Sequence, residues 1–486
     1  MLKIPLIKSP YKNRKSPLLF ILWLILILCS KSTDVKAQEK HTDSLRTDFT
    51  IFIKLLKNNY PSLYRYNSQL KMDAILDSTY NTIQPNTTDF EFYKLLKKTL
   101  STIKDGHLYC SLPPTQQKYR EEKARFFPLK LCFTEYHTYL ANPGNTQIPA
   151  GSEILTINKQ PIELIRKNVM EYIVSDGDIQ TKKLKILNDF FYFYYYLSQG
   201  EQPFYTIKIK TPDGAIRQIK LTGKPEKELV GDENENKPTK DLQLAIKANN
   251  TAILTIKSFE KSQLEKTGEN FPEFLKESFA TLHQKGIKKL IIDLRGNTGG
   301  RDTYGPLLYS YLTQQPFRYY KSLTTITTDL PYEEFKSAVS SYNNLNKDML
   351  LKTSPHNYQL KNTAHPNLQQ IYPQPNNYKG KLWLLIDGLS FSTTAEFCAI
   401  VSSNNRGKFI GEETGGTYEG NTSGVQIEST LPHTKIQISV GTIKYDMAVK
   451  PAKKPARGII PQYKILQDIS SKADSQLNYA LKLTEK

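Results

Sequence analysis

The chain has 486 residues, 38% hydrophobic and 11% aromatic, enough apolar material for a packed core and enough length for about two to four domains, which excludes a disordered polymer. Its formal charge of +19 does not mark a nucleic-acid binder, because the lysines are dispersed and not gathered into a stripe, and dispersed Lys is a solvated surface. Attraction to anionic envelope surfaces is the functional reading the charge leaves open.

At the N-terminus, Lys3, Lys8, Lys12, Arg14 and Lys15 precede the apolar run PLLFILWLILILC, and DVKAQ follows. A basic region, a short apolar stretch and a small-x-small site describe a secretory signal over residues 1–37, cleaved after Ala37. The run is short for a membrane span; an uncleaved anchor is the alternative. Leu28 is large where a lipid-attachment site at Cys29 would carry a small residue. The mature chain is therefore expected in the periplasm or outside the cell, with membrane association left open. Three cysteines remain, Cys110, Cys132 and Cys398, and no C-x-x-C occurs, which argues against a disulfide framework. Cys398 reads as a buried small hydrophobe. Cys110 and Cys132 could pair in an oxidising compartment.

Residues 38–125 form an N-terminal helical region, because SLRTDFTIFIKLLKNNY and DFEFYKLLKKTLSTIK repeat apolar residues at three and four, and QPNTTDF supplies a turn and an N-cap. Over 126–223 short strand-like pieces dominate, among them FFPLKLCF, SEILTIN and PFYTIKIKT. The helix-like DFFYFYYYL within that stretch reads as aromatic core packing. Residues 224–242 are charged and poor in apolar side chains and read as a linker. From 243 to 486 the pattern alternates: the strands TAILTIKSF, KKLIIDL, KLWLLID and GKFIGEE are separated by the helices PEFLKESFATLHQKG, TYGPLLYSYLT and TAEFCAIVSSNN. That alternation predicts an α/β layered domain with parallel strands. Residues 328–380, rich in Asn, Tyr and Pro, read as an irregular excursion.

In parallel sheets active sites lie beyond the carboxyl ends of strands. Two turns meet that description, RGNTGG after Leu294 and GLSFS after Asp387. The second places Ser390, Ser392, Thr393 and Thr394 at the start of a helix. Thr393 and Glu396 have the spacing of a capping box, while a helix N-terminus also offers free N–H groups to an oxyanion. The glycines of RGNTGG do not make a phosphate-binding pattern, and the seven His form no metal-ligand spacing. No cofactor and no metal is expected.

LIIDLRGNTGG, LLIDGLSFSTTAEFCAIV, NNRGKFIGEETGG and RGIIPQYKI, in that order, resemble the core blocks of the S41 serine peptidases, the family of C-terminal processing and tricorn-like proteases. IPAGSEILTINKQPIELI resembles the strand pair of a PDZ domain, with Lys159 where a Gly is usual. The resemblance implies a crotonase/ClpP-like α/β core with an N-terminal helical region and a PDZ-like β-rich module. The family register from Arg406, Gly411 and Glu412 assigns the nucleophile to Ser392; Glu396 counted alone would assign it to Thr393, and Ser390 is the reserve. Thr393 would cap the helix and give its N–H to the oxyanion, together with Gly299 or Gly300. Thr417 stands where processing proteases carry a Lys base. STIKDGHLYCSL resembles the block from which tricorn-like members take a His, which assigns the base to His107. Gly106 precedes it where those members have Ser. The orienting acid stays open among Asp105, Glu412 and Glu413. Gln462 replaces the Asp of the last block and would affect local folding.

The expected activity is that of an exported serine endopeptidase acting on polypeptides through an acyl-enzyme on Ser392, with the module binding substrate C-termini by strand addition. Two alternatives stand beside it: a non-catalytic protein that captures peptides or an apolar ligand on the same scaffold, and a hydrolase of another ester or amide.

Overall fold

The computed structural model describes residues 17–142, 148–230, 240–326, 328, 339–341, 346–467 and 473–485, with side chains from residue 38 onward except at 142 and 339–341. The basic region and cleavage site expected within 1–37 lie outside the described side chains, as do residues 231–239 of the expected linker. Among the described residues no helix is long and apolar enough to cross a membrane.

Three helices come first: α1 (Pro17–Asn59), α2 (Gln69–Asn81) and α3 (Asp89–Ile103). Leu45, Phe49, Phe52, Leu55 and Leu56 recur along α1 at helical spacing and are all buried, the stripe an amphipathic helix turns to a core. A capping box opens α3, in which Thr88 Oγ1 accepts the Glu91 N–H and the Glu91 carboxylate accepts the Thr88 N–H at 2.9 Å. The helix stops at Lys104, whose φ of 66° is left-handed, so Asp105, Gly106 and His107 leave it as a turn. Immediately afterwards Tyr109 and Cys110 pair antiparallel with Ser439 and Ile438 of the core. The turn is thus held at both ends.

The β-rich module is an antiparallel sheet, β1 (Lys130–Phe133), β2 (Thr138–Asn142), β3 (Glu153–Ile157), β4 (Phe204–Lys210) and β5 (Ile216–Thr222), neighbours in that order. Helices α4 (Ile162–Met170) and α5 (Thr181–Gln199) lie between β3 and β4 in the chain. Phe191 and Tyr195 of α5 are buried, and Phe191 packs edge-on against Phe127. Cys110, Cys132 and Cys398 are all free thiols. The pairing considered for Cys110 and Cys132 does not form: Cys110 lies on the strand that joins the core, and Cys132 on β1 of the module.

The core carries β6 (Leu242–Lys247), β7 (Thr251–Ile256), α6 (Phe271–Gln284), β8 (Lys289–Asp293), α7 (Tyr304–Ser310), β9 (Tyr320–Thr325), β10 (Lys381–Ile386), α8 (Thr393–Ser403), β11 (Lys408–Gly411), β12 (Thr422–Thr430), β13 (Gln437–Met447), β14 (Tyr463–Lys464) and α9 (Ser475–Glu485). The central sheet runs β14-β11-β10-β8-β7-β6, parallel from β14 to β7 with β6 as an antiparallel edge. β8 and β10 are buried on both faces, which explains their unbroken apolar runs. Leu290, Ile292, Leu384 and Ile386 face one cluster with α6, α7 and α8, while Ile291, Trp383 and Leu385 face another with Ala480 of α9. A second sheet places β12, β13 and β9 side by side. The excursion at 328–380, expected to be irregular, contains a hairpin of 350–354 on 357–360. Together these elements make a mixed α/β fold with N-terminal helices and a β-rich module. The strand ends of β8 and β10 deliver the two turns, 294–300 and 387–392, to one side of the sheet.

Candidate active site

Ser392 is the N-cap of α8, with φ 54° and ψ −129°. A side chain at positive φ is strained by about 1–3 kcal/mol and persists only where its surroundings enforce it. Such a strand–turn–helix corner lifts the serine Oγ above the sheet end. Its neighbours are all occupied. Ser390 is fully buried; its Oγ donates to the Leu294 carbonyl at 2.9 Å and accepts the Asp387 N–H at 3.1 Å. Thr393 Oγ1 donates to the Gly300 carbonyl at 2.9 Å, and Thr394 Oγ1 to Asn297 Oδ1 at 2.8 Å. Ser392 Oγ instead meets His107 Nε2 at 3.1 Å, across 285 positions of sequence. The reserve serine is therefore a structural strut.

The capping box expected at Thr393 and Glu396 does not form. The N-cap is Ser392, one residue earlier, so Glu396 falls beyond the position from which it could reach back. Its carboxyl accepts from Tyr320 Oη at 2.8 Å and Asn421 Nδ2 at 2.7 Å, and burial pushes it up to about 7.

His107 is held from several sides. Its Nδ1 is 3.3 Å from Asp105 Oδ1, which also accepts the His107 backbone N–H at 2.8 Å. Tyr60 Oη donates to the other Asp105 oxygen. Burial alone would raise the Asp105 carboxyl, but His107 and Tyr60 outweigh it and hold the group below the usual carboxylate range. The imidazole lies against the Phe391 ring at 4.4 Å between centroids. Lys182 of α5 places its ammonium 3.1 Å from the centre of that same ring and donates to the Gly106 carbonyl at 3.3 Å. Burial pushes Lys182 down to about 8.

Of the three acids considered for orientation, only Asp105 is at the imidazole. Glu412 pairs with Lys185 at 2.7 Å, and Glu413 with Arg457 while accepting the Gly458 N–H at 2.9 Å. Both are bound up elsewhere. Sequence reasoning missed Asp176, in the turn between α4 and α5, whose Oδ1 accepts the Gly106 N–H at 2.7 Å. Burial and the charge on Asp105 push Asp176 above the usual carboxylate range. Its only sequence signal is an ordinary turn, SDGD. Among the described residues, Asp105, His107 and Asp176 form the cluster with polar atoms within 4.8 Å of one another. Two carboxyls driven apart in acidity beside an imidazole make the pattern of a shared proton.

For an oxyanion, the glycines divide their work. The Gly299 N–H is engaged by Asn297 Oδ1 at 2.9 Å, so the expectation of a free donor there is corrected. Gly299 makes room instead: a Cβ on it would come 2.7 Å from the Ser392 Cβ. Among the described residues, the N–H groups of Gly300 and of Thr393, the first residue of α8, meet no acceptor. Gly300 is tied to that helix start through its carbonyl and Thr393 Oγ1. Thr417 is buried and donates to the Gly420 carbonyl. Gln462 Oε1 accepts the Phe409 N–H at 2.6 Å, a purely local strut.

A geometry of this kind defines the serine-type hydrolases as a class. Residues 250–463, which carry Ser392, match the model of peptidase family S41. The solved structure of mature CPAF superposes with a TM-score of 0.61 at 14% identity, covering 91% of this chain and 97% of that one. Mature CPAF complexed with lactacystin gives 0.61 at 14%, covering 91% and 98%. At that identity the likeness is one of fold. No curated protein matches the sequence.

Proposed function

We propose that this protein is an exported serine endopeptidase in which Ser392 is the nucleophile, His107 the general base and Asp105 the orienting acid. The observation that carries the proposal is the 3.1 Å contact of Ser392 Oγ with His107 Nε2. Ser392 Oγ attacks the scissile carbonyl carbon as its proton passes to Nε2. Negative charge develops on the carbonyl oxygen, where the Thr393 and Gly300 N–H groups stabilise it by about 2.7–4 kcal/mol per donor. The intermediate collapses, Nε2 returns the proton to the leaving amine, and the acyl group stays on Oγ. Water then enters by the same route, deprotonated by Nε2, and releases the acid. Asp105 keeps the Nδ1 proton in place so that Nε2 is the free base. Export is supported by the basic and apolar segments of residues 3–29. A PDZ-like reading of the module is supported by IPAGSEILTINKQPIELI, which supplies β3 and the start of α4.

The test is to treat residues 38–486 with a fluorophosphonate and map the adduct by peptide mass spectrometry. Stoichiometric label on Ser392, lost in His107→Ala, is the expected result. A folded protein that takes no label sinks the proposal and leaves a non-catalytic peptide-binding protein. Turnover of esters without turnover of peptides would retain the nucleophile and remove the endopeptidase.

A further inference from the structure

We propose that Asp176 is a positioning residue that acts as a neutral carboxylic acid, taking the Gly106 N–H on Oδ1 and donating its own proton to Asp105. The proposal rests on the reading of Ser392 and His107 as the catalytic pair.

Asp176 is 2% exposed, and its Oδ2 has no hydrogen-bond partner although it is buried. An orphaned carboxylate oxygen in such a place is costly. Oxygens of Asp105 and Asp176 lie within 4.8 Å, and between two anions there is no donor to bridge them. One proton supplies it. Geometry decides which acid holds that proton. Asp105 already receives the Tyr60 hydroxyl and the His107 backbone N–H, and the imidazole Nδ1 stands 3.3 Å from its Oδ1, the surroundings of an anion. Asp176 receives one backbone N–H. The groups facing Asp176 are Asp105 and His107 after α3, Tyr66 and Arg65 after α1, Tyr60, and Lys182 on α5. The upward push on Asp176 and the downward pull on Asp105 agree with this division.

The turn that carries Asp176 is clamped. The Gly177 N–H donates to the Lys104 carbonyl at 2.9 Å, and the Asp178 N–H to the Ala456 carbonyl at 2.9 Å. Gly177 has φ 52°, and a Cβ there would come 2.2 Å from the Ala456 oxygen. The acid therefore arrives from the segment between the module's two helices, wedged between the end of α3 and a core loop. Without that segment the base has an incomplete support, so the β-rich module is part of the active site.

The experiment measures the fluorophosphonate inactivation rate of the full mature chain against pH, in the wild type, Asp176→Ala, Asp176→Asn and His107→Ala. Asparagine is the isostere of the protonated acid: Oδ1 accepts from Gly106 and Nδ2 donates to Asp105. The expected pattern is a slowing of about tenfold or more in Asp176→Ala and rescue to within about threefold by Asp176→Asn. The acid limb of the rescued variant should overlie that of the wild type. An ionised Asp176 would give the opposite result. Its replacement would remove an anion beside His107 and move the acid limb down by about one unit or more, and asparagine would not rescue. Either outcome, or an Asp176→Ala variant as fast as wild type, overturns the proposal. If the alanine variant does not fold, the rate and acid limb of Asp176→Asn decide alone. His107→Ala keeps the two readings apart. Unchanged labelling there removes the catalytic pair itself, whereas lost labelling with no rescue at Asp176 removes only this inference.

Discussion

Four hydroxyl side chains stand within residues 390–394, and what separates them is not their chemistry but their partners. Three are satisfied by the facing 294–300 turn, at Leu294, Gly300 and Asn297, and one meets an imidazole. Sequence shows the cluster and, through its register with Arg406, Gly411 and Glu412, selects Ser392. It cannot show which hydroxyl is spent, because the acceptors come from a loop about ninety positions earlier in the chain. Asp176 was illegible for the same reason: it belongs to no periodic pattern and meets Gly106 across 70 positions. Strain at Ser392 makes a prediction of its own. Both Ser392→Ala and Ser392→Gly should lose labelling, but only glycine relaxes at φ 54°. Ser392→Gly should therefore be more stable than Ser392→Ala by about 1 kcal/mol in urea melts. Equal midpoints would mean that the corner is not strained. Gly299→Ala should fail differently, since its Cβ would press on the Ser392 Cβ and sit at φ 101°. A loss of labelling of about a hundredfold is expected, measured on protein that still melts cooperatively.

At the scale of elements, the strands were the most legible part, because β8 and β10 are apolar on both faces and the turns after them carry glycine. The N-cap before α3 was legible in QPNTTDF, and the structure adds the Thr-x-x-Glu box that Thr88 makes with Glu91. The same pattern misled at α8, where the strained corner moves the N-cap back to Ser392 and releases Glu396 into the core. That release has a measurable consequence. The Glu396 carboxyl is held at about 7 by burial, against an unfolded value near 4.5, so the native state keeps a proton that the unfolded chain gives up. Its full stabilising contribution is present below pH about 4.5 and declines as pH rises toward 7, by about 1.4 kcal/mol per unit. Glutamine carries no such term. Glu396→Gln should unfold like the wild type at pH 4 and be more stable by about 3 kcal/mol at pH 8. A pH-independent difference between the two would show that Glu396 does not titrate in this window.

For the whole molecule, composition divides the chain into helical, β-rich, linker and alternating parts, but these are not the units that pack. Phe49, Phe52 and Phe92 of the N-terminal helices share one hydrophobic cluster with Tyr196 of α5 and with Ile427, Ile438 and Val440 of β12 and β13. Local periodicity says which face of a helix is apolar and nothing about a partner strand several hundred positions away. Asp48 makes the joint specific. It is fully buried on α1, where its carboxylate accepts the His433 N–H at 3.1 Å, the Thr434 N–H at 2.8 Å and Thr434 Oγ1 at 2.7 Å. Asp48→Ala leaves those donors unmet and should destabilise by about 2–4 kcal/mol. Asp48→Asn should be little better, because its amide sets a donor against donors. Trp383 on β10, the one tryptophan of residues 38–486, reports the core by fluorescence, while far-ultraviolet circular dichroism reports chiefly the helices. If the shared cluster couples them, both signals give one urea midpoint in the wild type, and Asp48→Ala lowers the two together. A helical signal that melts first, with Trp383 unmoved, would mean that the N-terminal helices fold independently of the catalytic sheet. His107 would then reach Ser392 through a joint that opens on its own, and labelling should disappear with the helices rather than with the core.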